Sequence, residues 1–598
     1  MCGIVGYNGK DSNTLRILID GLKALEYRGY DSSGIAYKTN DINIVKSVGK
    51  ISELEKKIDY ELNTDMGIGH TRWATHGKVN ETNSHPHHVG DITIVHNGII
   101  ENFNEIKDEL KKNNYIFNTD TDTEVACALI DYYYKKTNDI KDSLVKFMNK
   151  VRGSYALGVM VNNNENIYSL RKNSPLIIAK NNDGNFIASD TIAVSKYADE
   201  VMYLGENIIA ELSKTNINLY DKELKNVNSN FIKIDKSIDT TNKCGYDHYM
   251  LKEIHEQPKV FRDTVEPYLE NDIDSLLDKM PDFTKYNKID IVACGSAYHT
   301  GLVGKNLIEE FADVPVNVEI ASEYRYKKNF YDDKTLVIVV SQSGETADTL
   351  AALRMAKQDN IDTLAIVNVE GSSIARESDI LLKIKAGREI AVATTKAYSA
   401  QVAMLSLIAL NLAIKKNNID KSELKEILKD IKELPVKIED TINKNDYKEI
   451  ANNIYDKNDI FFIGRGIDYA LAMEGSLKLK EISYINSQAY AAGELKHGTI
   501  SLIEDGTPVI GILTEEKLIE KTISNIEEVK SRGAITIGVT NEEIDNNFDY
   551  KINVPKVHKT LQPLLTIIPL QLISYEVAKL RKCDIDKPKN LAKSVTVE

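Results

Sequence analysis

Cysteine is sparse in this chain: 5 in 598 residues, at Cys2, Cys127, Cys244, Cys294 and Cys583. No two form a C-x-x-C pair, and no spacing suits a disulfide framework or a zinc site. That excludes a disulfide-stapled fold and fits a reducing cytoplasm. An excess of positive charge is also missing, because 75 Lys and Arg stand against 89 Asp and Glu, a formal net charge of -14. Without a large basic block, nucleic acid is not an expected partner, and any anionic ligand has to be held by local geometry. Unbroken apolar runs of membrane length are lacking too. The longest stretch, AYSAQVAMLSLIALNLAI, is interrupted by Ser399, Gln401, Ser406 and Asn411, which predicts a buried core helix and no membrane partner. Met1 to Lys10 has neither a basic start nor a long apolar run, so no secretory signal is expected, and no lipidation motif is present. Histidines His70, His76, His85, His87 and His88 stand close together, but no carboxylate or cysteine joins them at ligand spacing, so no metal is expected. Gly464 to Gly466 reads G-R-G without the third glycine of a dinucleotide fingerprint, which argues against a nicotinamide cofactor.

What is present is an apolar fraction of 42%, enough to fill several cores. The length suggests about four domain-sized units at roughly 150 residues each. Up to Leu219, short β-branched runs punctuated by glycine (DITIVHNGII, SYALGVMVNN, IIAELS) predict a strand-rich domain over residues 2–219. Residues 220–250 are polar and aperiodic, as a linker would be. Beyond them strands alternate with long amphipathic helices. IDIVACGSAYHTGLVGKNLIEEF is a strand, a glycine turn and a helix, and IFFIGRGIDYALAMEGSLKLKEI repeats that plan about 170 residues later. Each copy continues with a strand, a helix and a third strand. The rhythm predicts two doubly wound parallel α/β sheets, over 251–430 and 431–588, followed by a short tail over 589–598.

The opening MCGIVGY sets a thiol directly after the initiator methionine. If Met1 is removed, the new α-amine has a reference pKa of about 7.7 to 8.0 and sits beside a thiol of about 8.5, so one residue supplies nucleophile and base. The run IVGY would anchor the terminus as an interior strand. In HTRWATHG, Arg72 offers a fork that matches a substrate carboxylate. In VHNGII, Asn97 and the Gly98 N–H can form an oxyanion hole, and in TDTDTEV, Asp122 can bind a substrate ammonium. A structural alternative stands beside each: a surface arginine, a type I' hairpin turn at Asn97-Gly98, and an N-cap at Asp122.

MCGIVGY, LEYRGYDSSGIA, GHTRWATHG, HPH, VHNGIIEN and TDTEV stand in the order and spacing of a known domain. The first part of the chain, from Cys2 to about Leu219, resembles the glutamine amidotransferase domains whose nucleophile is an N-terminal cysteine. The resemblance implies an αββα fold of the N-terminal-nucleophile type. It also implies that Cys2 attacks the glutamine side-chain amide, that Arg72, Trp73, His76 and Asp122 shape the glutamine pocket, and that Asn97 and Gly98 hold the oxyanion.

In the second half, LVIVVSQSGETADTLAALRMAK places Ser341, Gln342, Ser343, Gly344 and Thr346 between an apolar strand and a helix. N–H groups at a helix start, joined by hydroxyl donors, make an anion site without net positive charge; an ordinary serine cap is the alternative. GSLKLKEISYINSQAYAAGELKHGT sets Lys478 and Glu481 three residues apart on one helix face, with His497 in the following loop. That pattern is either a solvated ion pair or a carboxylate base held by a cation, with an imidazole able to move protons. The final NLAKSVTVE carries Lys593, an amine suited to a sugar carbonyl.

CGSAYHTG, SQSGETADTL, GSSIARESD, residues 390–396, LKLKEISYI, AYAAGELKHG and LAKSVTVE resemble the paired sugar-isomerase (SIS) domains of the isomerising glutamine-fructose-6-phosphate aminotransferases. Together the two resemblances cover nearly the whole chain. They imply sugar-phosphate contacts from Ser296, Ser341, Gln342, Ser343, Thr346, Val392 and Thr394. Glu481 would move the proton between sugar C1 and C2 with Lys478 near it. His497 would assist ring opening from a neighbouring subunit, hence a homodimer at least, and Lys593 with the Ala592 backbone would engage the open-chain sugar. Two positions depart from the pattern: Ala297 lacks a hydroxyl that the family often has, and Thr394 stands where serine is common.

The implied reaction hydrolyses glutamine through a thioester at Cys2 and passes the ammonia, shielded from water with Trp73 as the candidate gate, to fructose 6-phosphate. An imine forms at C2 and isomerises to glucosamine 6-phosphate, the first step toward UDP-N-acetylglucosamine. No metal, nicotinamide or pyridoxal cofactor is implied. A phosphoribosyl-pyrophosphate amidotransferase would need an acidic diphosphate-binding loop, and a sugar-phosphate sensor a basic helix-turn-helix or a dead nucleophile; the sequence shows none of these.

Overall fold

The computed structural model describes all residues except 1, 11, 75, 235–242, 270–273, 445–446, 545–547 and 597–598, so the fate of Met1 lies outside the described residues. The chain divides into two compact units, Met1–Thr240 with Ser594–Glu598, and Thr241–Lys593.

The first unit is built on two antiparallel sheets of eight and six strands. Strand Gly3–Gly9, buried at all 7 positions, lies between Met66–Arg72 and Gly184–Ala188 in the larger sheet. Alternation along it feeds two cores. Ile4 faces Ile68, Ile187 and Val95 between the sheets, whereas Val5 and Tyr7 lie with Leu18 and Leu22 of helix Thr14–Leu25 in an outer core. The smaller sheet sends Ile94, Leu157 and Val159 outward against helices Asp122–Thr137 and Ile140–Lys150. The result is the four-layer αββα arrangement. Each buried aliphatic side chain contributes about 1.5–3 kcal/mol. Within the polar stretch after Leu219, Ile232–Lys233 pair with Glu200–Val201 and add the outermost strand of the larger sheet, so this part is not aperiodic.

The second unit carries two five-stranded parallel sheets of the same topology. The first runs Val316–Ile320, Lys288–Ala293, Thr335–Ser341, Asp362–Val367, Ile380–Lys383, and the second Asn486–Ala491, Asp459–Gly464, Pro508–Leu513, Ile535–Thr540, Tyr550–Asn553. Helix Ser296–Ala312 follows the second strand of one order and Ile467–Ser483 its counterpart, each entered through a glycine of nearly identical backbone (Gly295 φ 57, ψ -131; Gly466 φ 58, ψ -128). Helices Lys396–Lys415 and Gln562–Leu580 are long and apolar enough to cross a membrane, but 94% and 83% of their apolar windows are buried inside the chain. They share one hydrophobic core with both sheets. In open parallel sheets of this kind, ligand sites form at the carboxyl ends of the strands.

Candidate active sites

In the first unit the Cys2 side chain is half-buried, and its Sγ accepts the Trp73 N–H at 3.3 Å. Burial pushes the thiol up, against the pull of that hydrogen bond. Asn97 belongs to strand Ile92–Ile100 of the smaller sheet, and its Nδ2 donates to the Cys2 carbonyl at 3.0 Å. Asn97-Gly98 is therefore interior strand and not a hairpin turn. Gly98 has φ +135, and a Cβ there would meet the Ser154 carbonyl at 2.1 Å, so only glycine fits. Asp122 is the first residue of its helix, and Thr121 supplies the cap by accepting the Glu124 N–H at 3.2 Å. The Asp122 carboxylate instead accepts the Ile100 N–H at 2.9 Å, two residues beyond Gly98.

Arg72 is 3% exposed, not a surface arginine. Its guanidinium donates to the carbonyls of His76, Gly77 and Lys78, which fixes the loop after the strand Met66–Arg72. Trp73 stacks edge-on against Tyr30 and His76 against Phe103. Cys2, Arg72, Trp73, His76, Gly98 and Asp122 line one cavity, whose free volume of about 10 Å³ is the size of a single water. Any ligand larger than a water would have to widen it. His85 and His96 also line it. With His70 and His87 they form a buried group that burial holds neutral, His70 pushed down to about 3. Among the described residues no His, Cys, Asp or Glu cluster has metal-binding geometry.

In the second unit the serine-rich turn joins strand Thr335–Ser341 to helix Ala347–Gln358. Ser341 Oγ accepts the Gly344 N–H at 3.0 Å and faces Thr346 Oγ1 at 3.0 Å, while Ser343 Oγ accepts the Glu345 N–H at 3.2 Å. No side chain caps the helix itself. Gly344 sits at φ +66 with Ser372 Oγ 1.9 Å from where a Cβ would be, so the loop is pinned at a conformation closed to other residues. The half-buried Gln342 accepts the Asn368 N–H at 3.3 Å through its carbonyl.

Lys478 is fully buried on helix Ile467–Ser483, so it is not part of a solvated pair. Its Nζ lies 2.5 Å from Glu481 Oε2 and 3.5 Å from Glu474 Oε1. Burial pushes the Glu481 carboxyl above its ordinary value against the attraction of Lys478. Ser296 Oγ donates to Glu474 Oε1 at 2.8 Å. Lys593, with a side chain 3% exposed, is ion-paired with Glu389 and donates to Thr394 Oγ1 at 3.1 Å. Burial favours the neutral form of Glu389, but Lys593 beside it holds the carboxyl below its usual range. The half-buried Ala592 precedes Lys593, and the Val392 N–H donates to the Asp586 carbonyl at 3.0 Å. Ala297 packs on the core. His497 ends a short helix Ala492–His497, exposed and without a hydrogen-bond partner among the described residues, so the chain does not itself bring it to Glu481.

Three buried carboxylates escaped sequence reasoning. Glu474 was legible in principle, since Glu474, Lys478 and Glu481 recur at helical spacing. Glu389, bound by the Thr395 and Ala397 N–H groups, had no local signal. Neither had Glu253, which accepts the Ile390 N–H at 2.5 Å and is pushed up to about 8 by burial and by neighbouring Glu389.

Residues 282–411 and 453–581 match the SIS domain family, and residues 70–196 match a glutamine amidotransferase domain family. A glutamine–fructose-6-phosphate aminotransferase (isomerizing) of Clostridium tetani is 49% identical over 611 aligned residues, spanning 100% of both chains. Its namesake in Thermococcus kodakarensis is 42% identical over 607 residues, again across 100% of both. Among solved structures, the C-terminal domain of glucosamine-fructose-6-phosphate aminotransferase from Francisella tularensis superposes with a TM-score of 0.55 at 39% identity, covering 58% of this chain and 100% of that one. With full-length identity at this level and all three domains matched, the chain belongs to the isomerising glutamine–fructose-6-phosphate aminotransferase family.

Proposed function

We infer that the two units perform the two halves of one reaction. The chain transfers the amide nitrogen of glutamine to fructose 6-phosphate and isomerises the product to glucosamine 6-phosphate, releasing glutamate. The observation that carries the residue assignment is the pairing of two constellations, Cys2 with Asn97 and Gly98, and Glu481 with the buried Lys478. Cys2 Sγ attacks the glutamine amide carbon. Asn97 Nδ2 and the Gly98 N–H stabilise the oxyanion, and Asp122 takes the substrate ammonium. Arg72, already committed to three carbonyls, shapes the pocket through its loop and meets the substrate carboxylate only by exchanging some of those bonds.

The phosphate of fructose 6-phosphate sits on the turn of Ser341, Gln342, Ser343 and Thr346, at the uncapped start of helix Ala347–Gln358. Ser296, Val392 and Thr394 complete the sugar site. Glu481 takes the C1 proton and returns it at C2, Lys478 holds that carboxylate in place, and Lys593 leaves Glu389 to engage the open-chain sugar together with the Ala592 backbone. His497, exposed in its own chain, acts on the ring oxygen of a sugar bound to a second copy, which makes the working form a homodimer. We divide the chain at 2–219, 251–430, 431–588 and 589–598, with residues 220–250 as the connection. A cytoplasmic location fits the five unpaired thiols and a phosphorylated substrate.

Formation of glutamate and glucosamine 6-phosphate in equal amounts from the two substrates tests the reaction. For the phosphate turn, replacing Ser343 and Thr346 together with alanine should weaken sugar-phosphate binding by about 1.5–3 kcal/mol for each charge-assisted bond lost. Glutamine affinity measured without sugar should stay unchanged. Calorimetry showing an unaltered fructose 6-phosphate dissociation constant would remove the phosphate from this turn.

A further inference from the structure

Helix Ile467–Ser483 carries two adjacent stripes. Glu474, Lys478 and Glu481 form one. Met473, Ser476, Leu477 and Lys480 form the other and line an open cleft of about 510 Å³, closed on its far side by the strand Asn486–Ala491 and by His299. His299 stands where the stripes meet. Its Nδ1 lies 2.7 Å from Glu474 Oε2, while its ring is part of the cleft wall. Its Nε2 has no hydrogen-bond partner among the described residues. Four titratable groups thus run in contact from the Glu481 carboxylate through Lys478 and Glu474 to an imidazole at an open cleft. The other ionisable groups around His299 are Lys480 and Tyr490 in the cleft wall and Tyr298, whose ring centroid is 5.8 Å away; Tyr398 is buried near Glu474.

We propose that His299 is a positioning residue of the isomerase site, fixing Glu474 and serving as the port through which the proton held by Glu481 exchanges with solvent. The proposal rests on Glu481 being the base. During isomerisation Glu481 carries the proton taken from sugar C1 until it is delivered to C2. While it is held, and with the imidazole in its Nε2–H tautomer, Lys478 passes one of its protons to Glu474 and takes the one on Glu481, Glu474 passes its proton to the free Nδ1, and Nε2 releases its own to water. The reverse sequence brings a solvent proton in. No bond other than N–H and O–H changes, and one full cycle restores every group. Imidazole suits the outermost place because its two nitrogens can accept on one side and release on the other.

The test is isomerisation of fructose 6-phosphate to glucose 6-phosphate in D2O by the full-length protein and by His299→Asn, whose amide can hydrogen-bond Glu474 but cannot pass a proton through. The deuterium found at C2 per turnover should fall about tenfold in the variant, while KM is unchanged and kcat drops by less than about threefold. A purely structural role would lower kcat and leave deuterium per turnover unchanged, and that result overturns the proposal. If His299→Asn melts below the assay temperature, His299→Gln is read in the same way. Failure of the base assignment would show itself separately, as isomerisation that survives Glu481→Gln.

Discussion

In Cys2→Ala, glutamate release and glutamine-dependent synthesis should fall to background, a loss on the order of 10⁶ in kcat for removal of a nucleophile acting within a concerted site. Isomerisation of the sugar phosphate should persist, because that chemistry belongs to the second unit. The expectation follows from placement. The thiol is fixed by the Trp73 N–H on one side, and Asn97 from the opposite sheet reaches the Cys2 carbonyl on the other. The other cysteine in the unit, Cys127, is fully buried in the helix core, where burial pushes its thiol far up, and it cannot take over. Glutamate release at the ordinary rate from the variant, measured by a coupled dehydrogenase assay, would make Cys2 a structural residue.

The second large effect is expected at Glu481. Glu481→Gln keeps size and a hydrogen-bonding oxygen for Lys478 but cannot accept a proton from carbon, so isomerisation should fall by roughly 10²- to 10⁴-fold with glutamine hydrolysis intact. The pH profile gives an independent sign. Burial raises the Glu481 carboxyl above its ordinary value, and only the ionised form is a base. The wild-type rate should therefore be full above that raised pKa and decline as pH falls through it. This acidic limb should disappear from whatever activity remains in the variant. Solvent-hydrogen exchange at sugar C1, followed by NMR at several pH values, reads both. Wild-type exchange in Glu481→Gln would return proton transfer to another group.

Much of this arrangement is legible in the sequence where chemistry is written locally. GIVGYNG reads as an interior strand, and its alternation sorts Ile4 and Val5 into different cores. The repeated strand, glycine turn and helix announce two sheets, and Gly295 and Gly466 share one backbone conformation. Local reading stops where residues far apart in the chain decide the answer. Asn97-Gly98 has the composition of a hairpin turn, yet its neighbours across the sheet, Ala156 and Tyr155, continue it as strand. Ser296 meets Glu474 across 178 positions and Lys593 meets Glu389 across 204. Neither spacing has a periodic signature, so these contacts leave no local trace, and Glu389 has none of the helical spacing that ties Glu474 to Lys478 and Glu481. Arg72 marks a second limit of local reading: its residue type suits a carboxylate, but the loop carbonyls it meets follow from how the chain turns after the strand.

The most direct test of the account supplies the protein with fructose 6-phosphate and glutamine labelled with 15N at the amide, in buffer containing a large excess of unlabelled ammonium, and determines the isotope in the product amine by mass spectrometry. Nitrogen taken from glutamine at Cys2 and delivered without release to solvent predicts glucosamine 6-phosphate carrying 15N throughout, and no labelled product from Cys2→Ala. Product whose nitrogen reflects the ammonium in the buffer, or labelled product still formed by Cys2→Ala, would contradict it.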